Sequence, residues 1–161
     1  MQTFLISTAT VALAEIGDKT QLLSLILAAK YRKPWPICLG ILAATLVNHA
    51  IAGSVGALVA VYLTPELLKW IVALSFFSVA LWTLKPDDAG DAEAARGAGH
   101  GVLLATLIAF FVAEMGDKTQ VATVVLAARF HEVLPVVAGT TLGMLIADVP
   151  AVFVGDRLSG R

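Results

Sequence analysis

Two segments of the chain place acids, amines and hydroxyls where nearly everything around them is apolar. Ala14-Glu15-Ile16-Gly17-Asp18-Lys19-Thr20-Gln21 recurs as Ala113-Glu114-Met115-Gly116-Asp117-Lys118-Thr119-Gln120. On a helix, the three-residue spacing puts Glu15 with Asp18, and Glu114 with Asp117, on one face. Lys19 and Lys118 follow each glutamate by four residues, a spacing that neutralises part of the charge locally. Thr20, Gln21, Thr119 and Gln120 add neutral oxygens. Carboxylate, hydroxyl and amide oxygens are hard ligands that suit Ca2+, Mg2+ or Mn2+, whereas softer metals favour thiolate or imidazole. With every group ionised, four carboxylates and two lysines sum to −2, which one divalent cation balances. Metal and protons compete for the same oxygens, so such a site has the chemistry of metal/proton exchange. Gly17 and Gly116 have two uses open to them: close approach of another helix, or unwinding of the backbone to expose carbonyls.

The elements that must position these groups are membrane spans. Hydrophobic residues make up 58% of the 161 residues and charged residues 14%, against about 45–50% and 25% in soluble domains; mean hydropathy is +0.86. A soluble globule or a disordered chain is excluded by that balance. A net charge of −1 without a basic stripe excludes nucleic acid as a partner, and the single Cys38 excludes a disulfide framework or a thiolate cluster. Five runs, 3–29, 36–62, 67–85, 101–128 and 134–157, are long and apolar enough to span a bilayer. The first has no basic n-region and carries Glu15, Asp18 and Lys19, so it is a mature helix and not a signal peptide. Thr64-Pro65-Glu66 reads as a turn with Thr64 as N-cap and Pro65 at N1 of the third span. Residues 86–100 form a polar linker. Lys30, Arg32, Lys33, Lys85, Arg96, Arg157 and Arg161 fall on one side of the membrane, and Lys69 and Arg129 on the other. Seven against two puts the first side, linker included, in the cytoplasm and the N-terminus outside.

A shift of 99 positions superposes the halves without a gap, bringing Pro36, Gly40 and Gly56 onto Pro135, Gly139 and Gly155. The expectation is an all-α integral membrane protein built as a duplication: residues 1–85, then the linker, then 101–161. Three spans precede the linker, and an odd number turns the second copy upside down, the inverted-repeat plan of many secondary transporters. Five spans are present, and the sixth that a complete duplication would supply is missing. A charged side chain at mid-membrane costs about 2.5–3.5 kcal/mol on insertion scales, so the motif charges must meet one another, water or an ion.

The doubled motif resembles the E-x-G-D-[KR]-[ST] signature of a calcium/manganese cation–proton exchanger family, whose members sit in bacterial, Golgi and chloroplast membranes. The resemblance covers the whole chain. It implies that Glu15, Asp18, Glu114 and Asp117 are the cation ligands, with Thr20, Gln21, Thr119 and Gln120 supporting them. The transported Mn2+ or Ca2+ is cargo, and no resident cofactor is expected. The expected partners are divalent cations, protons and the bilayer, with export from the cytoplasm, in a bacterial inner membrane. His49 and Asp148 occupy equivalent positions in the two copies. Asp148 is a candidate for the ion pathway, whereas His49 reads as a histidine satisfied by a neighbouring helix, or else a proton carrier. Two other functions fit the residues less well. An exporter of an organic solute such as an amino acid needs a wall for the organic body, and only Phe110 and Phe111 stand near the motifs. An intramembrane aspartyl protease needs two aspartates sharing a proton, which a lysine beside each opposes; the chain does not read as an enzyme.

Overall fold

The computed structural model describes residues 1–84 and 101–158, which form seven helices. The linker 86–100, with Lys85, Arg96 and Arg161 of the charge count, lies outside the described residues. Three of the expected spans are single helices: α3 (Pro34–Tyr62), α4 (Pro65–Thr83) and α7 (Val133–Leu158), each long and apolar enough to cross a membrane. Thr64 caps α4 as expected, its hydroxyl accepting from the Leu67 N–H at 3.4 Å, with Pro65 in the first turn.

The other two runs are not continuous helices. The first divides into α1 (Gln2–Glu15) and α2 (Lys19–Tyr31), and the fourth into α5 (Val102–Glu114) and α6 (Lys118–Phe130). Each half-helix has 13 or 14 residues, or about 20 Å at 1.5 Å per residue, so each break falls near the middle of its run. The break is a type II β-turn. Ile16 has φ −61° and ψ 116°, Gly17 has φ +79°, and the Asp18 N–H donates to the Glu15 carbonyl at 3.0 Å. Met115 (φ −62°, ψ 120°), Gly116 (φ +74°) and the Asp117 N–H to Glu114 carbonyl bond (3.1 Å) repeat it.

Packing joins the two copies by exchange. Helix α7 lies against α1 and α2, and its counterpart α3 lies against α5 and α6, while α3 and α7 also meet each other. The repeated glycines make these approaches. A Cβ on Gly40 would stand 2.8 Å from the Leu103 carbonyl oxygen, and one on Gly139 2.5 Å from that of Phe4; Leu103 and Phe4 are themselves 99 positions apart. Gly56 approaches the Val124 carbonyl as Gly155 approaches that of Leu25, again an equivalent pair. Between the copies sits an apolar core of Leu23, Leu27, Ile37, Ile41, Phe110 and Val152 with small neighbours. Helix α4 packs on α6 at the edge and leaves Trp70, Leu74 and Phe77 exposed.

Candidate metal centre

The two turns bring the acids to the middle of the bundle. Glu15 and Glu114 are the last residues of α1 and α5, and Asp18 and Asp117 the N-caps of α2 and α6. The positive end of each following helix therefore faces an aspartate. Neither aspartate spends its side chain on the cap. The freed backbone is satisfied by the motif glutamines instead: the Gly17 N–H donates to Gln21 Oε1 at 2.9 Å and the Gly116 N–H to Gln120 Oε1 at 2.8 Å. These glutamine oxygens are committed to holding the turns, a more specific task than the supporting contacts expected of them. Gln21 also donates to the Ala147 carbonyl at 3.0 Å, fixing the first turn to α7.

Of the two uses open to the motif glycines, unwinding is the one realised. A Cβ at Gly17 or Gly116 would meet nothing within 4 Å, so no helix approaches there; the left-handed φ is what the position requires. Gly17→Ala should therefore destabilise the protein by roughly 1–2 kcal/mol, read as a lowered unfolding midpoint in detergent. Ala at the close-packed Gly56 should be worse, because a carbonyl blocks it.

The turn also changes the charge pairing. Glu15 and Asp18 no longer share a helical face, and the lysines do not neutralise their own motif alone. Lys118 Nζ lies 2.5 Å from Asp18 Oδ1, and Lys19 Nζ lies 3.8 Å from Asp117 Oδ1. Each ammonium reaches the aspartate of the other copy. The two pairs differ, because the Lys118 side chain is 3% exposed and that of Lys19 is 19%.

Glu15, Asp18 and Asp117 are all buried, and each offers one carboxylate oxygen within 4.8 Å of the others. The Thr20 hydroxyl donates to Glu15 and, at 3.5 Å, to Asp18. Glu15 Oε1, Asp117 Oδ2 and the Thr119 hydroxyl are buried without a hydrogen-bond partner among the described residues. Oxygens left bare in that way are costly unless something else meets them. Hard oxygens at this spacing fit a divalent cation. Glu114 stands apart from this group. Its carboxylate accepts from Thr45 Oγ1 at 2.8 Å and Asn48 Nδ2 at 3.4 Å, both on α3.

His49 differs from the reading of a satisfied histidine. It is fully buried, neither ring nitrogen has a hydrogen-bond partner among the described residues, and Nε2 faces Glu114 Oε2 at 3.8 Å. Asp148 is equally buried, with Oδ1 accepting from Ser24 Oγ at 3.3 Å and Oδ2 bare. Ser24 is the polar residue that sequence reasoning passed over. Its repeat counterpart is Thr123, and a hydroxyl kept at both positions one turn after the motif was the available signal.

A bundle of apolar helices with acids gathered at two central helix breaks defines a membrane transporter for cations. The chain belongs to the divalent cation/proton antiporter family GDT1, whose description matches residues 3–91 and 102–161. It is 53% identical over 156 residues to a Vibrio cholerae protein named "Putative manganese exporter", covering 96% of this chain and 77% of the relative. It is 30% identical over 173 residues to a GDT1-like protein of Synechocystis, covering 94% and 82%. No solved structure matches it.

Proposed function

We propose that this protein exports Mn2+, with Ca2+ as a second cargo, from the bacterial cytoplasm in exchange for protons. The observation that carries the reading is the cluster of Glu15, Asp18 and Asp117, drawn from both copies, with carboxylate oxygens within 4.8 Å. Those three acids hold the ion once Lys118 gives up Asp18, and Glu114 is the fourth carboxylate. Lys118 and Lys19 act as tethered cations that balance the aspartates when the metal has left. Metal entry displaces ammonium and protons from the same oxygens, so loading with one excludes the other.

The two copies, 1–85 and 101–161, run in opposite directions through the membrane, joined by the cytoplasmic linker 86–100. The reciprocal packing of α3 and α7 supports this plan, since each long helix serves the broken pair of the other copy. Rocking of one copy against the other then opens the site to alternate sides. The N-terminus lies outside, in the inner membrane. In a Cys38→Ser background, a cysteine at Glu66 should be labelled by an impermeant thiol reagent in intact cells, and one at Lys33 shielded; the reverse pattern would overturn the orientation.

The deciding experiment uses proteoliposomes loaded with a pH-sensitive dye and given Mn2+ on one side. Mn2+ movement should be matched by protons moving the other way. Because the ligand oxygens must be deprotonated to bind metal, Mn2+ affinity should fall as pH is lowered. Metal flux without proton counter-movement, and with affinity independent of pH, would replace the exchanger with a passive pore.

A further inference from the structure

Lys69 and Arg129 are the two loop charges that stand opposite the other seven, and they lie far apart in the chain. The fold brings both to one cavity of about 320 Å³, lined by Pro65, Leu68, Lys69, Arg129 and His131. Lys69 comes from the start of α4 and Arg129 from the last turn of α6, while His131 occupies the left-handed cap that ends α6 (φ 56°). All three basic side chains are exposed. Glu66 and Glu132 are near in sequence, yet neither lines the cavity. Among the described residues, no carboxylate forms an ion pair with Lys69 or Arg129; Arg129 has only the Phe130 ring, at 5.9 Å. Like charges converging on a cavity without a counter-charge raise the local positive potential and attract an anion.

The surroundings say what kind of anion. Pro65 and Leu68 give the cavity an apolar side. Trp70, Leu74 and Phe77 lie on the other side of α4 and are 60%, 62% and 64% exposed, so the helix that lends Lys69 to the cavity turns an apolar face to its surroundings. A charged head borne on an apolar body matches the basic and apolar sides of the cavity, and Trp70 beside Lys69 is the composition of a membrane interface. The volume lies at the low end of ligand cavities, about 300–1,000 Å³, which suits a headgroup better than a whole lipid. We propose that this cavity binds the phosphate headgroup of an anionic phospholipid.

The test is thermal unfolding of the purified full chain in neutral detergent with added short-chain phosphatidylglycerol, phosphatidylcholine or inorganic phosphate. Phosphatidylglycerol should raise the midpoint by about 5–10 °C when well above its Kd, and phosphatidylcholine by much less. Lys69→Gln/Arg129→Gln should unfold near the wild-type midpoint without lipid and lose the shift. Lys33→Gln/Arg157→Gln, on the opposite face, should keep it. Should the double variant fail to fold, Lys69→Gln and Arg129→Gln singly must each shrink the shift. Equal stabilisation by phosphatidylcholine, or an undiminished shift in the variants, would overturn the proposal. So would inorganic phosphate reproducing the whole effect, which would make the occupant a free anion. None of these readouts depends on metal transport, so failure here leaves the exchanger reading intact.

Discussion

Asp18→Asn and Asp117→Asn should each reduce Mn2+/proton exchange in proteoliposomes by at least about 100-fold, because the charge count of the ligands sets divalent affinity over orders of magnitude. The two variants should nevertheless differ in stability. Lys118 is buried against Asp18 at 2.5 Å, so Asp18→Asn leaves an ammonium in the core without its close counter-charge, a change that costs roughly 3–5 kcal/mol when a buried pair is broken. Lys19 is partly exposed and 3.8 Å from Asp117, so Asp117→Asn should destabilise less. The double variant Asp18→Asn/Lys118→Gln separates the two effects: its unfolding midpoint should recover, while transport stays lost. Recovery of transport together with stability would mean that Asp18 serves the fold and not the ion.

Much of this centre is legible in the amino-acid sequence. The acids stood out because ionisable groups in an apolar run are expensive, and the duplication was visible as a shift of 99 that aligned charged residues as well as apolar ones. The helix breaks were harder to read. Periodicity runs through Ile16-Gly17 as if the helix continued, and a glycine inside an apolar helix serves packing as readily as unwinding. Only the left-handed φ of Gly17 and Gly116, with open space where a Cβ would stand, separates the two uses. The cross-copy reach of the lysines is hidden for the same reason. A spacing of four predicts a local partner only on an unbroken helix, and once each turn redirects the chain, the nearest aspartate Lys118 reaches is the other copy's. The sequence also left Glu15 and Glu114 as equals, since nothing in the motif itself distinguishes them.

Their surroundings do distinguish them, and a functional difference should follow. Thr45 and Asn48, which hold Glu114, correspond to Met144 and Ala147 in the second copy. Helix α7 thus has no side-chain donors at the matching positions, and Glu15 cannot be held away from the cluster as Glu114 is. Under the proposed exchange, Glu15 should stay with the ion, while Glu114 should trade its α3 donors for the ion when the site opens to the other side. Glu15→Gln should weaken Mn2+ binding to the purified protein by about 30-fold or more, as loss of a charged ligand predicts. Glu114→Gln should leave that affinity within about threefold, since an amide can still meet Thr45, yet it should reduce exchange flux by at least about 30-fold. Calorimetric titration with Mn2+ and flux measured on the same preparations decide the matter. Equal losses of affinity in the two variants would point instead to a symmetric site in which all four carboxylates hold the ion at once.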